Sequence, residues 1–176
     1  VICGAGAFVL GYFTLSHVAS RVDRFLDPSS GDSYQVDRSL EAFMNGGLFG
    51  RGPGEGTVKE VLPDAHSDFV FAVAGEEFGL FVCLIIVCLF GFVVLRGFAK
   101  ALQETDLFVL LAISGLVVQF GLQAVINMGS TLRLMPTKGM TLPFVSYGGS
   151  SLIAMGLCMG FLLALTRRRV GAEVLR

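Results

Sequence analysis

Residues 78–95 read FGLFVCLIIVCLFGFVVL, without one charged side chain. A hydrocarbon core about 30 Å thick is crossed by about 20 apolar residues of α-helix, so this stretch reads as a membrane span. Toward the N-terminus the apolar pattern extends back to Phe69 and carries Glu76 and Glu77 near its outer end. Residues 107–132 and 139–166 are also uncharged, and so is 1–20 apart from any charge on His17. The expectation is an all-α polytopic membrane protein with spans at about 1–20, 69–95, 107–132 and 144–166. These leave a large loop, 21–68, and a tail, 167–176.

Composition agrees. Of the 176 residues 53% are hydrophobic and only 15% charged, against roughly 25% charged in soluble domains. The 13 basic and 14 acidic residues nearly cancel, and no basic patch points to nucleic acid. Cys3, Cys83, Cys88 and Cys158 have neither CxxC spacing nor companion histidines, so they read as small core or lipid-facing residues. The first span lacks a basic start and is too long for a signal peptide. A chain beginning in mid-span at Val1 is expected to be a piece of a larger protein. Arg167, Arg168 and Arg169, with Arg96 and Lys100, put the tail and the connection 96–106 in the cytoplasm, and loop 21–68 with the short loop of Arg133 and Lys138 outside.

A loop of this length is functional or disordered as a rule. Val36, Leu40, Phe43 and Met44 recur at helical spacing within it, and Gly46-Gly47 ends that helix. The helix either lies on the membrane surface or packs on the tops of the spans. Gly50-Arg51-Gly52-Pro53-Gly54-Glu55-Gly56, followed by Lys59, suits either the close approach of an anion or a hinge. It is not a nucleotide P-loop, which needs Lys-Ser/Thr after the last glycine.

Ionisable groups then cluster where water gives way to lipid, in Asp64-Ala65-His66-Ser67-Asp68 and in Glu76-Glu77. Such groups are costly there unless paired or facing a polar cavity, which makes this segment the candidate site. The competing structural role for Ser67 or Asp68 is to cap the helix that follows. For His66 it is a loop histidine satisfied by backbone, and for Glu76 and Glu77 it is to hold the loop to neighbouring helices or to pair with arginines such as Arg21 and Arg24. Gln119, Gln123 and Asn127, four residues apart, form one inward-looking amide stripe on the third span, for interhelical hydrogen bonds or substrate contact. Pro143 before Ser146-Tyr147-Gly148-Gly149-Ser150-Ser151 allows an irregular start to the last span. Gly156 and Gly160 form a GxxxG packing face.

Taken in order, these motifs resemble the FtsW/RodA/SpoVE (SEDS) family of bacterial cell shape, division and sporulation. The carriers are Asp27-Pro28, Tyr34-Gln35, Gly46-Gly47, the Gly50–Gly56 loop, Leu62-Pro63 through His66-Ser67-Asp68-Phe69 to Gly75-Glu76-Glu77, and Lys138-Gly139-Met140-Thr141-Leu142-Pro143 leading to Ser151. The likeness covers essentially the whole chain, and Met135-Pro136-Thr137-Lys138-Gly139 resembles the division-type or sporulation-type members, of which the division type is preferred. Ser67 stands where many members have threonine.

The resemblance implies that residues 1–176 are the C-terminal four transmembrane helices of a roughly ten-helix fold in the bacterial inner membrane at the division site, with an extracytoplasmic loop. It implies a peptidoglycan glycosyltransferase that polymerises lipid II, an undecaprenyl-pyrophosphate disaccharide-pentapeptide, with the essential acid of the family carried over onto Asp68. It also implies a class B penicillin-binding transpeptidase as partner, among other division proteins. On the residue chemistry Asp68 is the candidate general base. Arg51, Lys59 and Lys138 are candidates for the pyrophosphate, directly or beside a divalent cation. His66 is a candidate for orienting the aspartate or the substrate. The piece alone is expected to be inactive. The alternatives are a lipid II transporter whose path the amide stripe lines, and a scaffold that recruits the transpeptidase.

Overall fold

The computed structural model describes residues 14–16, 34–58, 66–135 and 139–167. Secondary structure among these is helical, with no strand. The elements are α1 (Tyr34–Gly46), α2 (Val70–Ala101), α3 (Leu107–Thr131) and α4 (Gly149–Thr166). The last three are long and apolar enough to cross a membrane. The expected span at 1–20 lies almost wholly outside the described residues.

Helix α1 starts with Asp37 in its first turn, where a carboxylate favours the positive end of the helix dipole. It stops at Gly47, whose φ of 56° suits glycine. Ala42 and Phe43 pack on Phe69 and Ala72 of the next segment, while Met44 of its apolar stripe is 79% exposed. Gly46 meets Gly75 so closely that a Cβ on Gly46 would stand 2.0 Å from the Gly75 carbonyl oxygen. Buried Ser39 places its hydroxyl 2.8 Å from Thr131 O, which gives one of the last α3 carbonyls a donor that the helix cannot supply.

Helix α2 is two arms joined at Gly79, where φ 76° and ψ −174° break the helical path. Twelve residues of straight helix span about 18 Å. The Cys83 thiol nevertheless lies 4.0 Å from Phe71 O, so the first arm folds back along the second. Phe71 and Cys83 are then buried together with Ala124, Met128 and Leu142.

The second arm packs on α3 through small residues: Gly97 faces Val117, and Gly121 faces Val94. Ala101, Ile113, Val117 and Leu162 close the core at the other end. Asp106 caps α3 by accepting from Phe108 N at 2.9 Å. At the far end of α3, Leu134 N donates to Gly129 O and Arg133 N to Ser130 O, a Schellman closure with Arg133 in the left-handed region at φ 59°. Arg133 also reaches Asp37 of α1 at 2.9 Å. Among the described residues nothing packs on the GxxxG face. Gly156 and Gly160 face open space among the described residues, because α4 turns Met155, Cys158 and Leu162 inward instead.

Candidate functional site

The bend at Gly79 opens the helical ladder, the rungs of Leu80 and Phe81 among others. In an unbroken helix Leu80 N and Phe81 N would donate to Glu76 O and Glu77 O. Here the segment 47–52 inserts between them. Leu80 N donates to Gly47 O at 3.0 Å and Phe81 N to Leu48 O at 3.4 Å. Arg51 N and Gly52 N donate to Glu76 O and Glu77 O, each at 3.0 Å. These four backbone groups at the break are thereby satisfied, as irregular backbone near a bilayer requires. Gly50 is needed for the insertion, since a Cβ there would lie 2.2 Å from Glu77 O.

Glu76 fastens the same loop with its side chain. The carboxylate is 0% exposed and accepts from Thr57 N at 3.0 Å and Val58 N at 3.1 Å. Arg51 Nη1 stands 3.7 Å from its Oε1 and donates to Thr57 Oγ1 at 3.2 Å. A buried carboxylate needs such partners to offset its desolvation. Glu77 is half-buried against Gly56. The loop-holding expectation for Glu76 therefore corresponds to an observed arrangement, with Arg51 as its arginine; Arg21 and Arg24 lie outside the described residues.

Asp68 sits at the foot of the first α2 arm, half-buried. The N-cap of α2 is Phe69, with no side-chain capping bond, so the capping role for Ser67 or Asp68 does not hold. Instead, the segment is gripped from α3. Asn127, 1% exposed, donates through Nδ2 to Asp68 O at 2.9 Å and to Met140 O at 2.6 Å. One amide thus ties the backbone of Asp68 to the stretch after Lys138. Among the described residues Asn127 Oδ1 is buried without a hydrogen-bond partner, an acceptor left over beside the aspartate's backbone. Gly139, at φ 61°, would bring a Cβ within 3.3 Å of Asp68 Oδ2, so the glycine leaves the carboxylate its room.

One turn back on α3, Gln123 donates to Thr141 O at 3.0 Å, and Thr141 Oγ1 meets Ser151 Oγ of α4 at 2.6 Å. Ser146 Oγ accepts from Leu142 N at 2.8 Å. His66 is exposed, and its carbonyl accepts from Tyr147 N at 2.9 Å. Phe144 takes φ 62°, a strained conformation for a bulky residue and one that collects at functional sites.

The structure thus brings together Asp68, Asn127, Gln123 and the 139–148 segment, and separately Arg51 with Glu76. Lys59 and Lys138 lie outside the described residues. Gln119 is exposed, so two of the three stripe amides are engaged, and they bind loop carbonyls rather than another span. Thr141 and Ser151 were not singled out by sequence reasoning as site-building residues. Their only signal was proximity to the Gly-Met-Thr-Leu-Pro and Tyr-Gly-Gly-Ser-Ser runs. Among the described residues no three His, Cys, Asp or Glu side chains converge on one point.

The family profile described as "Cell cycle protein" matches residues 1–170. The chain belongs to the FtsW/RodA/SpoVE family. It is 51% identical over 176 residues to a probable peptidoglycan glycosyltransferase FtsW of Caulobacter vibrioides, covering 97% of this chain and 45% of that protein. A protein of the same description from Geobacter metallireducens is 43% identical over 168 residues, 91% of this chain and 44% of that one. The chain spans under half the length of these relatives.

Among solved structures it is similar to a chain described under "Structural coordination of polymerization and crosslinking by a peptidoglycan synthase complex". That match has a TM-score of 0.73 and 32% identity, over 97% of this chain and 49% of that one. It is also similar to an aspartate-to-alanine mutant of the rod shape determining protein RodA of Thermus thermophilus. There the TM-score is 0.54 and the identity 38%, over 74% of this chain and 40% of that one. Family membership and three apolar helices make this a multi-pass membrane protein.

Proposed function

We propose that the chain is part of a peptidoglycan glycosyltransferase that polymerises lipid II during bacterial cell division, with Asp68 as general base. The observation that carries this reading is the seat of Asp68. A half-buried carboxylate stands at a loop–helix junction, its backbone pinned by the buried Asn127 against the segment after Lys138. The naming of the relatives as probable peptidoglycan glycosyltransferases supports the reaction class.

In this reading an acceptor sugar hydroxyl gives its proton to Asp68 as its oxygen bonds to the anomeric carbon of a lipid-linked donor. The bond from that carbon to the pyrophosphate oxygen breaks, and the pyrophosphate leaves with the electron pair. General-base assistance is worth about 10²–10⁴ in rate, and rigid placement of the base is what makes it effective. Positive charge for the leaving group is assigned to Lys59 and Lys138. Arg51 is assigned to the same role, since its Nη1 meets Thr57 and Glu76 while the side chain stays 40% exposed and a guanidinium has further N–H donors. His66 shapes the segment through its carbonyl bond to Tyr147. No step is assigned to a divalent cation.

The neighbouring synthase-complex structure, described as joining polymerization to crosslinking, supports a class B penicillin-binding transpeptidase as partner, and the FtsW naming of the relatives supports the inner membrane at the division site as location. The transporter reading draws less support, since Gln123 and Asn127 hold loop carbonyls instead of lining a path. The test is Asp68→Asn in the full-length protein with purified lipid II. Polymerisation is expected to stop while expression and transpeptidase binding persist. An unchanged rate would remove Asp68 from the mechanism, and lipid crossing between leaflets without glycan formation would favour transport.

A further inference from the structure

Three buried polar side chains form a line that ends at the candidate base, and the first of them belongs to the loop helix α1. Among residues 35–46 the buried positions are Ser39, Ala42 and Gly46, spaced i, i+3 and i+7 on one face. Ala42 packs in one cluster with Phe69 and Ala72, and Gly46 meets Gly75, so this part of the face lies against the start of α2, next in sequence to Asp68. Ser39, 0% exposed, turns instead to α3.

The Ser39 hydroxyl lies 2.8 Å from Thr131 O and 2.7 Å from Val36 O, one turn back in α1, and shares its one proton between them. Thr131, also 0% exposed, donates from Oγ1 to Asn127 O at 2.8 Å, and Ser130 donates to the same carbonyl at 2.9 Å. Asn127 in turn donates to Asp68 O at 2.9 Å. The last turn of α3 is thereby tied to α1 at its end and to Asp68 at its start. Terminal helix carbonyls need partners from outside the ladder. Those of Met128, Gly129 and Ser130 are closed by Leu132, Leu134 and Arg133 N of the chain's own turn, whereas Thr131 O is handed to another element. Arg133 joins the same two helices through Asp37. A buried hydroxyl costs free energy unless it is bonded, and alanine at 39 would suit the small-residue face as well, so packing does not account for the serine.

We infer that Ser39 is a positioning residue for the proposed reaction: from α1 it fixes the last turn of α3 and, through Thr131 and Asn127, the backbone of Asp68. The inference rests on Asp68 being the base. A reacting group displaced by about 1 Å loses up to about 10² in rate, so a hydroxyl that never touches substrate is able to act on the chemical step.

The test is a double-mutant cycle in the full-length protein with purified lipid II, made of Ser39→Ala, Asn127→Ala and the pair, with Asp68→Asn alongside and kcat and KM taken per folded molecule. Ser39→Ala is expected to lower kcat about threefold to tenfold with KM within about twofold of the parent, and to lower kcat no further once Asn127 is alanine. A change confined to KM or to the melting temperature, with kcat at the parent's value, is what a merely structural serine gives and overturns the inference. Losses that multiply in the pair also overturn it, since Ser39 would then not act through Asn127. Thr131→Val, which removes the middle hydroxyl and keeps the carbonyl, is read in the same way against Asn127→Ala if Ser39→Ala does not fold. Parent kcat in Asp68→Asn defeats the base and this inference together, whereas lost polymerisation there with parent kcat in Ser39→Ala defeats this inference alone.

Discussion

The chain leaves helical geometry at Gly79 and again between Gly139 and Gly148, and the two departures are held by different kinds of bond. At Gly79 four backbone–backbone bonds from residues 47–52 stand in for the rungs of Leu80 and Phe81, and a fully buried Glu76 ties down the loop beyond. Between Gly139 and Gly148 the grip comes mainly from side chains, with Asn127, Gln123, Ser146 and the Thr141–Ser151 pair each contributing one or two bonds. That segment also holds a left-handed Phe144 and lies beside the unpaired Asn127 Oδ1. Backbone pairing is almost independent of side-chain identity and makes a scaffold. Side-chain pairing is specific and adjustable, and it is found where the candidate base sits. The lesson is that the bend sets the height of the site while the 139–148 segment sets its geometry.

The sharpest way to separate the two regions is to change each and read stability and rate together. Asp68→Asn is expected to lower lipid II polymerisation by about 10²–10⁴ with little change in melting temperature in detergent; a large loss of stability would make Asp68 part of the scaffold. At the bend the order reverses. Gly50→Ala and Gly79→Ala each force a Cβ to within 2.4 Å of backbone, at Glu77 O and Gly50 N respectively, in left-handed conformations. Each is expected to cost about 3–5 kcal/mol, seen as loss of folded protein in size-exclusion chromatography. Glu76→Gln turns an acceptor into a group that also presents N–H toward the Thr57 and Val58 amides, and is expected to cost about 2–3 kcal/mol, measured by thermal unfolding. Loop release in that variant is checked by hydrogen exchange at residues 50–58.

A smaller stability change than at the bend is expected from Asn127→Ala. It removes two hydrogen bonds of the kind worth about 0.6–2 kcal/mol each within a membrane, offset by relief of the unpaired oxygen. Its rate should fall by about tenfold or more, because the backbone of Asp68 is no longer fixed. Equal losses of rate and stability in Asn127→Ala would erase the distinction between the two regions.

Much of the site was legible beforehand because its residues carry an energetic oddity. Asp68, Glu76 and Glu77 are carboxylates at a lipid boundary, and Gln123 and Asn127 are amides in an apolar run. The partners were not legible. Nothing local pairs Glu76 with Thr57 and Val58, or Asn127 with Met140 O, since backbone groups carry no sequence signal. The bend was hidden for a similar reason: Gly75-Glu-Glu-Phe-Gly79 is compatible with a continuous helix until residues 47–52 offer their own donors and acceptors. The N-capping expectation for Ser67 and Asp68 failed because tertiary contacts from α3 and the 139–148 segment hold this stretch in another way.

The sequence by itself determined that the chain is helical and immersed in lipid, because twenty or so apolar residues in a row have one low-energy state in a bilayer. It also determined which ionisable side chains are out of place there. Only the tertiary structure decided what those side chains meet. Folding back at Gly79 and the grip of Asn127 on Asp68 depend on hydrogen bonds between segments far apart in the chain, whose strength comes from the exclusion of water at their meeting point rather than from any local pattern of residues.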